Sequence, residues 1–112
     1  MSKEREKASK IVELLMEYYI NNEYTHINLD IEIGEDNTKI VTEGTLNKEN
    51  LDIKELETIL SNPRVNEYDI YFEGLNVDTK QEDISVLGYL IDDFNIELVD
   101  NTLLIEINRR HN

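Results

Sequence analysis

The 112-residue sequence contains no cysteine and no tryptophan, a single proline (Pro63), a single alanine (Ala8) and four glycines. Without cysteine, disulfides and thiolate-based metal or redox sites are excluded. The glycines, Gly34, Gly44, Gly74 and Gly88, stand apart from one another, so no glycine-rich phosphate loop can form. No G-x-S-x-G nucleophile elbow occurs either. The N-terminal run Met1-Ser2-Lys3-Glu4-Arg5-Glu6-Lys7 alternates in charge, and no apolar stretch behind it is long enough for a signal peptide or a membrane span. A cytoplasmic location is the resulting expectation. The abundance of isoleucine and asparagine beside so little alanine and proline is what an AT-rich, bacterial coding sequence would give.

Positive charge is also scarce. Eleven Lys and Arg stand against 25 Asp and Glu, for a formal net charge of −14. Residues 1–20 are balanced, with four bases and four acids, so the remaining positions hold seven bases and 21 acids. A body of this kind repels phosphate backbones and anionic lipid, which require basic patches. No direct nucleic-acid or membrane partner is expected. The charge reads as a device for solubility, or as attraction to a basic partner.

What is present is enough for one domain spanning residues 1–112. The chain is 39% hydrophobic and 32% charged, more polar than average but not apolar-poor in the manner of disordered segments. At this length about two thirds of the unfolded chain's surface is removed from water on folding.

Glu4 to Ile20 places Ala8, Ile11, Val12, Leu15, Tyr18 and Tyr19 at helical spacing, with Leu14, Met16 and Ile20 widening the stripe, and Asn21-Asn22 supplies a stop. Ile27, Leu29, Ile31 and Ile33 alternate with polar residues and predict a strand facing the core, paired through Gly34-Glu35-Asp36-Asn37 with a second strand over 38–43. Gly44 to Asn50 reads as a loop. A capping box at Asp52-x-x-Glu55 predicts a short helix with Leu51, Leu56, Ile59 and Leu60 inward, ended by Ser61-Asn62-Pro63. Tyr68, Ile70 and Phe72 predict a third strand. A second box, Thr79-x-x-Glu82, opens a helix to about Asp93 with Ile84, Leu87, Leu90 and Ile91 inward and Gly88 at a close contact. Two strands, 94–99 and 102–108, close the chain around an Asp100-Asn101 turn, and 109–112 reads as a fraying polar tail.

The order α-β-β-α-β-α-β-β, with every strand alternating, predicts an α+β two-layer sandwich: a five-stranded, mostly antiparallel sheet with three helices on one face. Its open face would carry His26, Asn28, Asp30, Glu32, Lys39, Val41, Glu43, Asp69, Tyr71, Glu73, Asn95, Glu97, Val99, Leu104 and Glu106. Within it, Val41, Tyr71, Val99 and Leu104, rimmed by Asp30, Glu32, Asp69 and Glu97, form the candidate interaction surface.

Candidates for chemistry are few. His26 is the one histidine ahead of the tail, and an exposed strand position explains it better than catalysis. Asp30, Glu32, Glu35 and Asp36 do not match a calcium-loop pattern, so no metal is assigned. Asp92-Asp93 oppose the dipole at the end of the predicted helix and read as solvated carboxylates. No catalytic residue and no cofactor is indicated. The leading expectation is a non-enzymatic, homodimeric protein-interaction or regulatory module. The alternatives are an acidic decoy of nucleic acid that occupies a basic partner, and a small-ligand binder or enzyme whose pocket is assembled from distant residues.

Overall fold

A computed structural model of the chain describes residues 2–46, 54–61 and 84–111. Helix α1 (Ser2–Asn21) leads into strands β1 (Thr25–Ile33) and β2 (Asn37–Thr45). Helix α2 (Lys54–Leu60), a 3₁₀ helix (Ile84–Leu90) and strands β3 (Asp93–Val99) and β4 (Thr102–Arg110) follow. The strands form one antiparallel sheet in the order β1-β2-β4-β3. The class is α+β, as alternation implied, with four strands among the described residues instead of five. The strand expected over Tyr68, Ile70 and Phe72 lies outside them.

The core forms where α1 and the shorter helices meet the middle of the sheet. Ile11, Leu14, Leu15, Tyr19, Ile40, Leu56, Leu60, Leu87, Leu90, Leu103, Ile105 and Ile107 are all buried. Helix α1 runs along β4, with Glu4 at Arg109 near one end of the strand and Tyr19 at Leu103 near the other. Its buried stripe is centred differently from expectation. Leu14 is fully inside together with Lys7 and Lys10, Val12 and Tyr18 are only half-buried, and Ile20 is exposed. The aliphatic stems of Lys7 and Lys10 can line the interface while Glu4 and Glu13 receive their ammonium groups at 3.3 Å.

The helix ends on a local motif that the sequence conceals. Tyr24 donates its backbone N–H to the Tyr19 carbonyl at 3.0 Å and Glu23 donates to Ile20 at 3.2 Å, the bond pair of a Schellman stop. The left-handed residue is Glu23, with φ of 65°, and not Asn21 or Asn22. The rings of Tyr19 and Tyr24 meet edge to face at 5.0 Å across this stop, supplying its apolar contact. Because a side chain in the left-handed region is strained by about 1–2 kcal/mol, Glu23→Gly is expected to stabilise the fold by roughly 1 kcal/mol, after some loss to backbone entropy. A higher urea midpoint at unchanged slope is the readout.

Three further boundaries differ from expectation. Gly44 is the penultimate residue of β2 and not loop, because Tyr19 and Tyr24 pack directly over it. The third helix is a 3₁₀ segment that stops at Leu90, since Asp92 donates its N–H to Asn108 and Asp93 already begins β3. A period of three keeps Ile84, Leu87 and Leu90 on one side, so the inward set survives the change of helix type; its capping box, Thr79 and Glu82, falls outside the described residues. The supposed tail is also ordered, as β4 continues through Arg110 and Arg109 is 1% exposed. The Asp52 end of the first capping box lies outside the described residues, while α2 buries Leu56 and Leu60 and half-buries Ile59.

Strand β1 departs most from its reading. Leu29 pairs with Thr42 and Ile31 with Ile40, both buried on the helix-bearing side, so the apolar row does point toward that side. Yet Leu29 is 42% and Ile31 40% exposed. The strand is at the edge of the sheet, and among the described residues the helical layer stops short of it.

Candidate functional site

The register places the open face residue by residue. Cross-strand rows, read from β1 through β2 and β4 to β3, are Glu32, Lys39, Asn108, Asp93; then Asp30, Val41, Glu106, Asn95; then Asn28, Glu43, Leu104, Glu97. Beyond these, Thr45 and Thr102 lead to Val99. Val41 and Leu104 are diagonal neighbours, as are Leu104 and Val99, and such positions lie about 7 Å apart, within side-chain reach. One apolar diagonal therefore crosses the sheet. Val41 is flanked in its row by Asp30 and Glu106, and Leu104 by Glu43 and Glu97.

Six of the carboxylates expected or found here, Asp30, Glu32, Glu43, Asp93, Glu97 and Glu106, share this face. Lys39 lies 3.6 Å from Glu106, and Asn28 reaches Glu43 at 3.5 Å. Arg110, one row further, pairs with Asp92 at 3.3 Å. The surface is thus strongly negative around a short apolar line. The burial of Lys7, Lys10 and Arg109 adds to this, since three of eleven bases sit inside while the six carboxylates of the open face are partly or fully exposed.

Of the sequence-derived surface residues, Val41, Val99, Leu104, Asp30, Glu32 and Glu97 are brought together on the open face. Asp69 and Tyr71 lie outside the described residues. Glu43 and Glu106 border the apolar line as closely as any residue first chosen, which follows only once the register is known. His26 does not take the regular outward position expected of it. It has φ of 53° within an irregularity between Thr25 and Asn28 where β1 carries one residue more than β2, a bulge that breaks the alternation.

A second concentration of polar groups lies at the opposite end of the helix-bearing side. The buried Arg109 guanidinium donates to Glu4 through Nε at 3.0 Å and to the Leu90 carbonyl at 2.7 Å. Partial burial pushes the Glu4 carboxyl up, but the hydrogen bond and charge of Arg109, joined by Lys7, outweigh this and hold it below the usual carboxylate range. The His111 ring bonds the Thr38 hydroxyl at 2.7 Å and the Glu35 carbonyl at 2.9 Å, and the His111 backbone N–H donates to the Asp36 carbonyl at 2.8 Å. These groups tie α1, the 3₁₀ helix, the β1–β2 loop and the end of β4 into one knot. Asp92, expected to be solvated, joins the same work: its carboxylate accepts the Arg110 backbone N–H at 2.6 Å and is 10% exposed. The signal for Arg109 was available, because Leu103, Ile105 and Ile107 alternate inward and position 109 continues their parity.

Among the described residues, no three histidine, aspartate or glutamate side chains converge as a metal site would require, and no helix is long and apolar enough to cross a membrane. No protein-family model matches the chain, and no curated protein or solved structure matches it.

Proposed function

We propose that the chain is a non-enzymatic, cytoplasmic protein-interaction module whose working surface is the open face of the sheet, and that its partner presents basic residues around a small apolar element. The observation that supports this reading is the apolar diagonal Val41–Leu104–Val99 set among Asp30, Glu43, Glu97 and Glu106. Apolar contact supplies affinity at the centre of such a surface, and the surrounding charge supplies partner choice and association rate. Self-association through the same face is disfavoured, because it would press carboxylates onto carboxylates.

A synthetic peptide alternating lysine and valine serves as a probe. Amide shifts in NMR titration are expected to cluster at Val41, Glu43, Glu97 and Leu104, and to weaken steeply with added salt. Val41→Lys with Leu104→Lys should raise Kd at least tenfold, about 1.4 kcal/mol. Neutralising the exposed Glu6 and Glu17 of α1 should leave binding unchanged. Equal sensitivity to both pairs, or shifts spread over all acidic surfaces, would reduce the face to a solubility device.

A further inference from the structure

We infer that the edge of β1 with which no described strand pairs is a self-recognition surface, on which a second copy of the chain pairs antiparallel about a two-fold axis at Leu29. The edge adjoins the open face and shares Asn28 and Asp30 with its rim, while the apolar line through Val41, Leu104 and Val99 lies on the strands beyond β1.

The backbone supports this first. Gly34 donates to the Asn37 carbonyl at 2.9 Å, which with the register Ile33↔Thr38 fixes the alternation of the β1–β2 ladder. Asn28, Asp30 and Glu32 therefore turn their backbone groups toward β2. Leu29, Ile31 and Ile33 turn theirs outward, where among the described residues no strand pairs with them. The side chains agree, since Leu29 and Ile31 are 42% and 40% exposed beside that edge. The other sheet edge differs: on β3, Phe94, Ile96 and Leu98 are all at least half-buried.

The choice of a second copy rests on self-complementarity, which a two-fold interface demands. Residues facing each other across an antiparallel pair share a sheet face, so only registers of like parity are allowed. Centring on Asp30 sets its carboxylate against its own mate, and centring on Ile31 sets Asp30 against Glu32. Centring on Leu29 removes both conflicts. It places Leu29 on Leu29, Ile31 beside Ile27, and Asn28 opposite Asp30, twice by symmetry. The Asn28 amide makes long 3.5 Å contacts within the chain, to the His26 carbonyl and the Glu43 carboxylate, and in this register it faces the Asp30 carboxylate of the second copy as donor to acceptor. The product is one continuous sheet through the described strands of both copies, joining two acidic faces edge to edge. The pairing is short, so the dimer belongs with weak interfaces and is expected to dissociate on dilution through the micromolar range.

The absence of cysteine makes the test clean. Facing residues of a hydrogen-bonded pair have Cα atoms about 5.5 Å apart, within disulfide reach. Leu29→Cys should therefore cross-link to a dimer under mild oxidation at least tenfold faster than Ile31→Cys, whose copies would sit roughly 13 Å apart along the strands. Val99→Cys, 65% exposed and away from β1, reports random collision. Sedimentation should show reversible doubling of the 13.2 kDa mass, abolished by Leu29→Lys, with an unchanged circular dichroism spectrum confirming that this variant folds. A monomer up to millimolar concentration, a dimer that survives Leu29→Lys, or equal cross-linking at positions 29, 31 and 99 would each overturn the inference. The lysine–valine peptide should bind the Leu29→Lys variant as it binds the parent chain, which separates failure here from failure of the open-face reading.

Discussion

Replacing Arg109 by methionine is expected to destabilise the fold by about 3–5 kcal/mol, the range for breaking one side of a buried ion pair. The side chain is 1% exposed and its guanidinium holds both Glu4 and the Leu90 carbonyl. Methionine fills similar volume but leaves a partly buried carboxylate and a carbonyl without that donor. Lysine should rescue only part, because one ammonium nitrogen replaces the two separate nitrogens, Nε and Nη1, that the planar guanidinium aims at Glu4 and at the Leu90 carbonyl. Glu4→Gln combined with Arg109→Met should lose less than the sum of the two single changes, since the second removes the charge the first leaves stranded. Urea unfolding reads all four variants, and an Arg109→Met loss below about 1 kcal/mol would show the pair to be incidental. The same pair sets an acid limb. A carboxyl lowered in the folded state contributes stability that is complete above its unfolded pKa and disappears as pH falls through the folded one. The parent chain should therefore lose this contribution only below the ordinary glutamate range, and Arg109→Met should remove that part of the pH dependence.

Gly44→Ala is expected to cost about 3 kcal/mol, the upper end for overpacking a core. A Cβ there would lie 2.6 Å and 2.8 Å from two carbons of the Tyr19 ring and 3.2 Å from Tyr24. The ring has nowhere to retreat. Its hydroxyl donates to the Leu103 carbonyl at 3.2 Å and accepts from Thr42 at 3.1 Å, while Tyr18 and Tyr24 both flank it edge to face. Burial pushes the Tyr19 phenol up to about 12, in keeping with a hydroxyl shut away from water. Gly44→Ala with Tyr19→Leu should recover part of the loss, because removal of the ring vacates the space. A Gly44→Ala variant of unchanged thermal midpoint would mean that the Schellman stop shifts as a unit, carrying both tyrosines away from β2.

The outward sets on β2, β3 and β4 were legible because these strands follow strict alternation, and the register sets Val41, Leu104 and Val99 of the expected patch on one diagonal, with Tyr71 outside the described residues. The register itself could not be read. Nothing in the sequence places β4 between β2 and β3, and so nothing identified Glu43 and Glu106 as immediate neighbours of the apolar line. The buried stripe of α1 is rotated from the apolar one for a related reason. Lys7 and Lys10 look like surface residues until partners distant in sequence cover them, and Leu14 comes inside on their side of the helix. Glu23 takes a left-handed conformation that its side chain does not favour, held there by the Schellman stop, and His26 takes another at the β1 bulge. Local preference gave no warning of either.

Sequence alone determined the class of the fold, the parity of each described strand and the acidity of the body, because these depend on periodicities of two and near four and on counts of charge. Tertiary structure decided which apolar rows are covered, which bases are buried and which edge is left open. The row Ile27, Leu29, Ile31, Ile33 is as regular as Leu103, Ile105, Ile107, yet the first lies on a strand at the edge of the described sheet, with Leu29 and Ile31 exposed, and the second at the centre of the core. Alternation tells a side chain which face to choose; only the packing of the other layer decides whether that face meets protein or water.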